Sequence, residues 1–477
     1  MLFNSVEFVL FIPVVFCLYW FCTKGNIKAQ NILILGASYF FYGYWDYRFL
    51  FLLFFSTLLD YYSGLKIHNT TEKSHRKAWL YISICINLGF LAFFKYYNFF
   101  IGSVSEALIR LGFEPNITVL QILLPVGISF YTFHGISYVV DVFNEKIKPS
   151  TNLINYSVFV SFFPLLVAGP IERATHLLPQ IERARKFDYY KAADGLRQIL
   201  WGLFKKVVVA DLCSQDVNII FKDPERYTGS TLLVGAFLFS IQIYCDFSGY
   251  SDMALGIARL FGFDLIRNFA YPYFSRDIAE FWRRWHISLS SWFKDYVYIP
   301  LGGNAGGKWH RIRNTCIIFL LSGFWHGANW TFLFWGALNA LFFIPLLLMG
   351  KNRNNLEIVA QGRAFPSFRE MFNILTTFSL VTFAWIFFRS ESISKAFVYI
   401  NHLFSKSLFT KPEILPFKVL FFISIMFIVE WFARKEAFGL STLVKMPLIV
   451  RWLVYTVIVL VILLWSGIEQ QFIYFQF

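Results

Sequence analysis

The chain has 477 residues, of which 57% are hydrophobic, 21% aromatic and only 15% charged. A soluble domain carries about 25% charged residues, and no soluble core calls for 60 phenylalanines, so composition excludes an ordinary soluble protein and points to helices facing lipid. The formal charge of +14 falls in short loops (Lys66, Lys73, Arg76, Lys77; Arg173, Arg183, Arg185, Lys186) and not on one soluble face, which argues against nucleic acid as a partner and for anionic membrane lipids.

From the N-terminus, Phe8–Cys22 is nearly all apolar. It has no basic region ahead of it and no A-x-A-like cleavage site behind it, so it reads as a retained helix. Lys24 and Lys28 follow closely, which places that loop in the cytoplasm and the N-terminus outside. Leu33–Asp46 mixes small residues with Tyr and Trp, a composition suited to tight helix contacts and an interfacial belt. Further apolar runs follow at Trp79–Phe94, Leu232–Tyr244, Phe372–Phe388, Val419–Phe432 and Leu453–Trp465. Counting shorter runs, the pattern predicts an all-α polytopic membrane protein with roughly eleven spanning helices. We read it as one membrane domain in three parts: residues 1–115, aromatic helices with short loops; 116–345, which holds nearly all the unusual polar chemistry; and 346–477, which returns to plain spans after a charged loop. The six cysteines are scattered with no C-x-x-C, and read as small packing residues, neither a disulfide framework nor a zinc site.

The polar islands of 116–345 come in order. Leu124–Tyr138 carries His134 among Pro125, Gly127 and Gly135, and Ser161–Arg173 ends a span at Gly169–Pro170. Both read as broken or terminated helices, with His134 structural. His68, His75, His176, His310 and His402 are assigned to loops. Gln242–Asp252 (QIYCDFSGYSD) brings Asp246, Ser248 and Asp252 into an apolar stretch. Carboxylates there need partners, and Arg276, Arg283 and Arg284 are the predicted counter-charges. Tyr271–Gly307 is too polar for a lipid-exposed span and too aromatic for a loop, and predicts a re-entrant or interfacial helix lining a cavity. Within it Glu280–Tyr298 predicts one amphipathic helix, with Trp282, Trp285, Leu289 and Trp292 on one face and Arg283, His286 and Ser290 beside them. Last, Ser322–Trp330 (SGFWHGANW) sets His326 between Gly323 and Gly327, with Trp325 adjacent. On a continuous helix Asn329 would share the face of His326. A buried histidine bonded to a neighbouring helix is the plain alternative to a catalytic one, although an ionisable group inside a span is a functional candidate by default.

The order of these islands resembles the membrane-bound O-acyltransferase family, in the branch of alginate and peptidoglycan O-acetylation and teichoic-acid D-alanylation. The resemblance rests on MLFNSVEFVLFIPVVFCLYW (1–20), LPVGISFYTFHGISYVVDVF (124–143), FFPLLVAGPIER (162–173), GLFKKVVVAD (202–211), QIYCDFSGYSDMALGIARLFGF (242–263), NFAYPYFSRDIAEFWRRWHISLSSWFKDYVYIPLGG (268–303) and LSGFWHGANWTFLFWGALNA (321–340). Residue for residue it implies that His326 is catalytic and His286 the second functional histidine, in a ring of helices around a central funnel and tunnel. It implies a cytoplasmic thioester donor, acetyl-CoA or another acyl thioester, with no bound cofactor and no metal. It also implies a bacterial cytoplasmic-membrane location, a polysaccharide acceptor and a periplasmic or extracellular partner acetyltransferase of the SGNH type. In that chemistry His326 takes the proton of the attacking hydroxyl, and His286, Asn329 or Ser322 supplies a dipole for the developing oxyanion. The tail holds Phe472, Tyr474 and Phe477 in an F-x-Y-x-x-F pattern, which the resemblance offers as an acyl relay through Tyr474 and composition offers as an aromatic interfacial anchor. The competing functions are a D-alanyl or other acyl transfer of the same branch and a transporter. Against the last stands the absence of paired repeats with matching broken helices.

Overall fold

The computed structural model describes residues 1–113, 120–467, 470, 472 and 473. Among these residues all regular structure is helical, with no strand, as hydrocarbon requires of a chain that must satisfy its own backbone. The chain forms two compact units, residues 1–192 with 258–265, and residues 193–257 with 266–477.

The first unit holds α1 (Val6–Cys17), α2 (Ile27–Asp46), α3 (Leu50–Asn69), α4 (Lys73–Leu91), α5 (Tyr97–Arg110), α6 (Ile128–Phe143), α7 (Leu153–Ser161), α8 (Phe163–Leu166) and α9 (Ala174–Glu182). Ser5 and Asn26 start α1 and α2 by accepting the backbone N–H of Phe8 and Ala29, donors that a helix start otherwise leaves unmet. Extended backbone at Asp46, with its side chain on Arg48 N–H, separates α2 from α3, each 20 residues long and so about 30 Å. Polar contacts then lock α3 to α4: Asp60 accepts from Ser83 Oγ at 2.6 Å and Asn87 Nδ2 at 2.8 Å. Gly135 on α6 leaves the space that the Asp60 carboxylate fills. Gly127, at φ 75° ahead of α6, lies so close to the carbonyl of Leu166 that no Cβ would fit. His134 is buried and accepts the backbone N–H of Glu172 at 3.1 Å. The carboxylate of Glu172 in turn meets His176 Nδ1 at 2.8 Å.

The second unit holds most of α10 (Tyr189–Leu203) and of α12 (Gly229–Leu260), with α11 (Asp211–Lys222), α13 (Ile278–Arg284), α14 (Ile287–Phe293), α15 (Gly307–His326), α16 (Trp330–Leu348), α17 (Phe368–Arg389), α18 (Ile393–Leu403), α19 (Phe417–Phe432) and α20 (Leu448–Trp465). Glycines set a close helix contact in it. The backbones of α10 and α12 meet at Gly202 and Gly249, where a Cβ on either would sit 2.5–2.7 Å from the other's carbonyl oxygen, and again at Gly195 and Gly256. Both pairs are seven residues apart along each helix, the spacing that keeps small residues on one seam.

Among the described residues six helical stretches are long and apolar enough to cross a membrane: Ile27–Asn69, Lys73–Arg110, Gly229–Leu260, Trp330–Leu348, Phe368–Arg389 and Leu448–Trp465. The first two hold two helices each, and Val6–Cys22 is a shorter apolar helix. Helix α20 is apolar on every side beyond Arg451 in its first turn and buries none of its residues, an arrangement that only lipid makes favourable. The protein is therefore multi-pass in the membrane. His68, His75, His176, His310 and His402 correct their loop assignment: all five lie on helices, mostly within a turn or so of an end.

Candidate functional site

Two broken helices build the site. The first break follows His326. Helix α15 stops there, Gly327 is extended, and Asn329 caps α16 by accepting Thr331 N–H at 3.0 Å. Asn329 also donates to the carbonyl of Glu391 at 2.9 Å. The predicted shared face of His326 and Asn329 is thus corrected, because the helix does not continue between them. Helices α15 and α16 pack closely at Gly323 and Gly336, each of which lies against a backbone carbonyl of the other helix where a Cβ would collide. That contact sets His326 edge-to-face on Trp335 (5.2 Å between ring centroids) and Phe388 (5.3 Å).

The second break lies at His286. The sequence pattern predicts one helix over Glu280–Tyr298. Instead α13 ends at Arg284, Trp285 is extended, and His286 takes φ 43°, ψ 55° before α14 begins. A left-handed non-glycine residue costs about 1–2 kcal/mol and persists only where its surroundings over-determine it. Here Asn268 supplies that constraint: its carbonyl accepts Ile287 N–H at 2.9 Å, and its side-chain oxygen accepts Ser288 Oγ at 2.7 Å and Ser288 N–H at 3.3 Å. The Ala270 N–H to Arg284 carbonyl bond (2.9 Å) closes the same loop. The break turns His286 inward, to 6.5 Å from His326 between ring centroids, with Trp325 at 5.8 Å from the first and 5.0 Å from the second.

Both histidines line one cavity of ≈ 50 Å³, with Trp282, Trp285, Ser290, Phe319 and Ser322 among its walls. Ser322 stands one helical turn before His326. Trp282, Trp335 and Trp385 wrap the outside, with centroids 5.7 Å and 5.4 Å apart along the chain of rings. An aromatic wall lowers the local dielectric, which strengthens any dipole acting inside. Arg283 does not reach this cavity: its guanidinium donates to the carbonyls of Asn352 and Asn355, both at 2.8 Å. Arg284 and Arg276 grip buried Glu280 at 2.9 and 3.0 Å.

Those arginines are therefore not the partners of the α12 carboxylates, a second correction. Two lysines are. A π-helical turn, Phe204–Ala210, continues α10 and places Lys205 and Lys206 side by side, both buried. The Gly202–Gly249 contact brings this turn against α12. Lys205 Nζ lies 2.7 Å from Asp252, donates to Ser248 Oγ at 2.9 Å, and stands 4.0 Å from Glu430 of α19. Lys206 Nζ bridges Asp246 (2.7 Å) and Asp211 (2.8 Å). Buried charges that are paired and hydrogen-bonded avoid the large cost of isolated ones. This cluster also holds the C-terminal segment: Lys206 donates to the Gln470 carbonyl at 3.1 Å, and Asp246 accepts Ile473 N–H at 2.7 Å. Phe472 rests 5.9 Å from Phe247, whose ring is 4.6 Å from His286. Tyr474 and Phe477 lie outside the described residues. Among the described residues no three of His, Cys, Asp and Glu converge to hold a metal.

The sequence profile of MBOAT, the membrane-bound O-acyltransferase family, matches residues 143–388, which span the first break, the second break and the lysine pair. The chain is 38% identical to the probable alginate O-acetylase of Pseudomonas aeruginosa over 407 residues, 85% of this chain and 75% of that protein. It is 33% identical to the peptidoglycan O-acetyltransferase of Helicobacter pylori over 434 residues, 83% of this chain and 78% of that one. It is 26% identical to the teichoic acid D-alanyltransferase of Bacillus subtilis over 279 residues, 56% and 69% of the two chains. Profile and relatives together show that this chain belongs to the membrane-bound O-acyltransferase family and is a multi-pass membrane acyltransferase.

Proposed function

We propose that this acyltransferase moves an acetyl group from a cytoplasmic thioester, acetyl-CoA, through the bacterial cytoplasmic membrane for O-acetylation of a polysaccharide outside. The observation that carries the reading is the pair of histidines, each delivered by a helix break, at one small aromatic-walled cavity. Two of the relatives above are named for O-acetylation, which favours acetyl as the group moved.

His326 acts as general base. Its imidazole takes the proton of the acceptor hydroxyl while that oxygen attacks the thioester carbonyl. The C–O bond forms, the C–S bond breaks, and the departing sulfur takes the proton back, leaving ester and free thiol. His286 or Ser322, both on the cavity wall, stabilises the oxyanion. Asn329 is committed to its cap and to Glu391. The acceptor hydroxyl is that of the polysaccharide or of Tyr474. The path from Asp246 to Phe472 supports the second: it holds the tail one phenyl ring from His286, two residues before Tyr474 in sequence. A separate SGNH-type acetyltransferase outside the membrane then carries the group to the polymer.

The test compares wild type with His326→Ala in cells whose own copy is deleted. Polymer-bound acetate falls at least a hundred-fold in the variant while its amount in the membrane is unchanged. Normal acetylation in that variant would remove His326 from the chemistry. A D-alanyl transferase would instead leave acetate unchanged and alter polymer-bound alanine.

A further inference from the structure

The first unit contains a larger cavity, lined by none of the residues of the histidine cavity. It measures ≈ 290 Å³ and is lined by five cations, Arg183, Arg185, Lys186, Lys191 and Arg259, against two carboxylates, Asp188 and Asp264. Lys191 and Asp264 satisfy each other at 2.8 Å. Arg183 and Lys186 are exposed and enter no ion pair among the described residues. Arg185 is buried and rigidly held: it donates to Asn31 Oδ1 at 2.5 Å and the Ile181 carbonyl at 2.9 Å, and lies 4.8 Å over the Phe263 ring. One wall therefore presents excess positive charge on a fixed frame.

The cavity also has aromatic lining. Trp20 closes the end of the first apolar helix, its Nε1 donating to the Leu260 carbonyl at 3.0 Å. Phe187 packs on Trp20 at 5.5 Å and on Phe16 of α1 at 6.0 Å. Tyr189 and Tyr190 follow it, 69% and 83% exposed. Aromatic side chains that share a helix end with a basic loop mark the headgroup level of a membrane, and Lys24 and Lys28, just beyond Trp20, place that level on the cytoplasmic side.

We propose that this cavity binds the phosphate headgroup of an anionic phospholipid. The excess cations neutralise the phosphate, the volume admits a headgroup and not merely a bare ion, and the Trp20–Phe187 wall meets the glycerol and first methylenes. Surface attraction alone supplies about a factor of five per cation; a fixed cavity adds selectivity for one lipid over its neighbours.

The experiment places the purified full chain in nanodiscs of phosphatidylcholine with a small fraction of phosphatidylglycerol, and counts retained phosphatidylglycerol by native mass spectrometry. Wild type retains the anionic lipid preferentially. The double variant Arg183→Ala with Lys186→Ala, both exposed positions, loses roughly thirty-fold in retention with an unchanged melting temperature. Equal retention of the two lipids by wild type overturns the proposal, as does undiminished retention by the folded double variant. Protection by inorganic phosphate in pure phosphatidylcholine, without lipid preference, overturns it in favour of a soluble phosphate ligand.

Discussion

At the scale of single residues, the side chain that fixes the geometry is Asn268, which does not line the histidine cavity itself. It bonds both residues that follow His286 and so holds the left-handed turn. Asn268→Ala should lower kcat by about ten- to a hundred-fold with little change in KM, since a displacement of ~1 Å costs that much, and Asn268→Asp should recover part of it. Equal losses in folded protein and in kcat would mean that Asn268 only stabilises. Lys206 makes the sharper stability prediction. Lys206→Met leaves Asp246 and Asp211 buried without their cation, a loss of about 3–5 kcal/mol, read as a drop in melting temperature in detergent. His176 supplies a pH test outside the spans. Its bond to Glu172 raises its pKa above the ordinary 6.5, so the protonated pair stabilises the fold fully below that value and fades as pH rises through the raised one. The melting temperature should fall as pH rises through the raised His176 pKa in wild type, and less in His176→Gln. The sequence marks Ser322, Trp325 and His326 because polar or aromatic groups beside glycines in an apolar run are conspicuous, and His286 because it stands beside two arginines in an aromatic run. It hides the role of Lys205 and Lys206: only the π-turn and the Gly202–Gly249 contact turn both ammonium groups toward α12.

Among elements, interruptions matter more than spans. The stretch Glu280–Tyr298 has a pattern compatible with a single amphipathic helix, and local propensity offers no reason to stop at Trp285. The stop comes from Asn268 and Ala270, distant in sequence and therefore invisible to periodicity. The end of α15 was closer to legible, since Gly327 and a capping Asn329 are ordinary signals of a helix end and a helix start. Helix seams are legible only in retrospect: the Gly195, Gly202, Gly249 and Gly256 ladder needs both helices in view. Gly249→Val projects a side chain onto the Gly202 carbonyl and forces apart the helices that carry Lys205, Lys206, Ser248 and Asp252. It should destabilise by about 1–3 kcal/mol or more, with less folded protein extracted from membranes. Gly36→Val, where a Cβ meets nothing, should be tolerated. Equal yields of the two variants would refute the seam.

On the scale of the whole molecule, composition alone settles membrane residence, and the exposed apolar surface of α20 agrees with it. Orientation, donor and acceptor are matters of chemistry across the bilayer, and so is the central claim that a group offered on one side is taken up through His326. Proteoliposomes holding purified protein in one orientation test it directly. Acetyl-CoA labelled in the acetyl group is supplied on the cytoplasmic face, and label is followed on the protein, including Tyr474, and on an acceptor polysaccharide sealed on the other face together with its acetyltransferase. The account predicts labelled ester with wild type and at least a hundred-fold less with His326→Ala. Undiminished label across the membrane with that variant would contradict it.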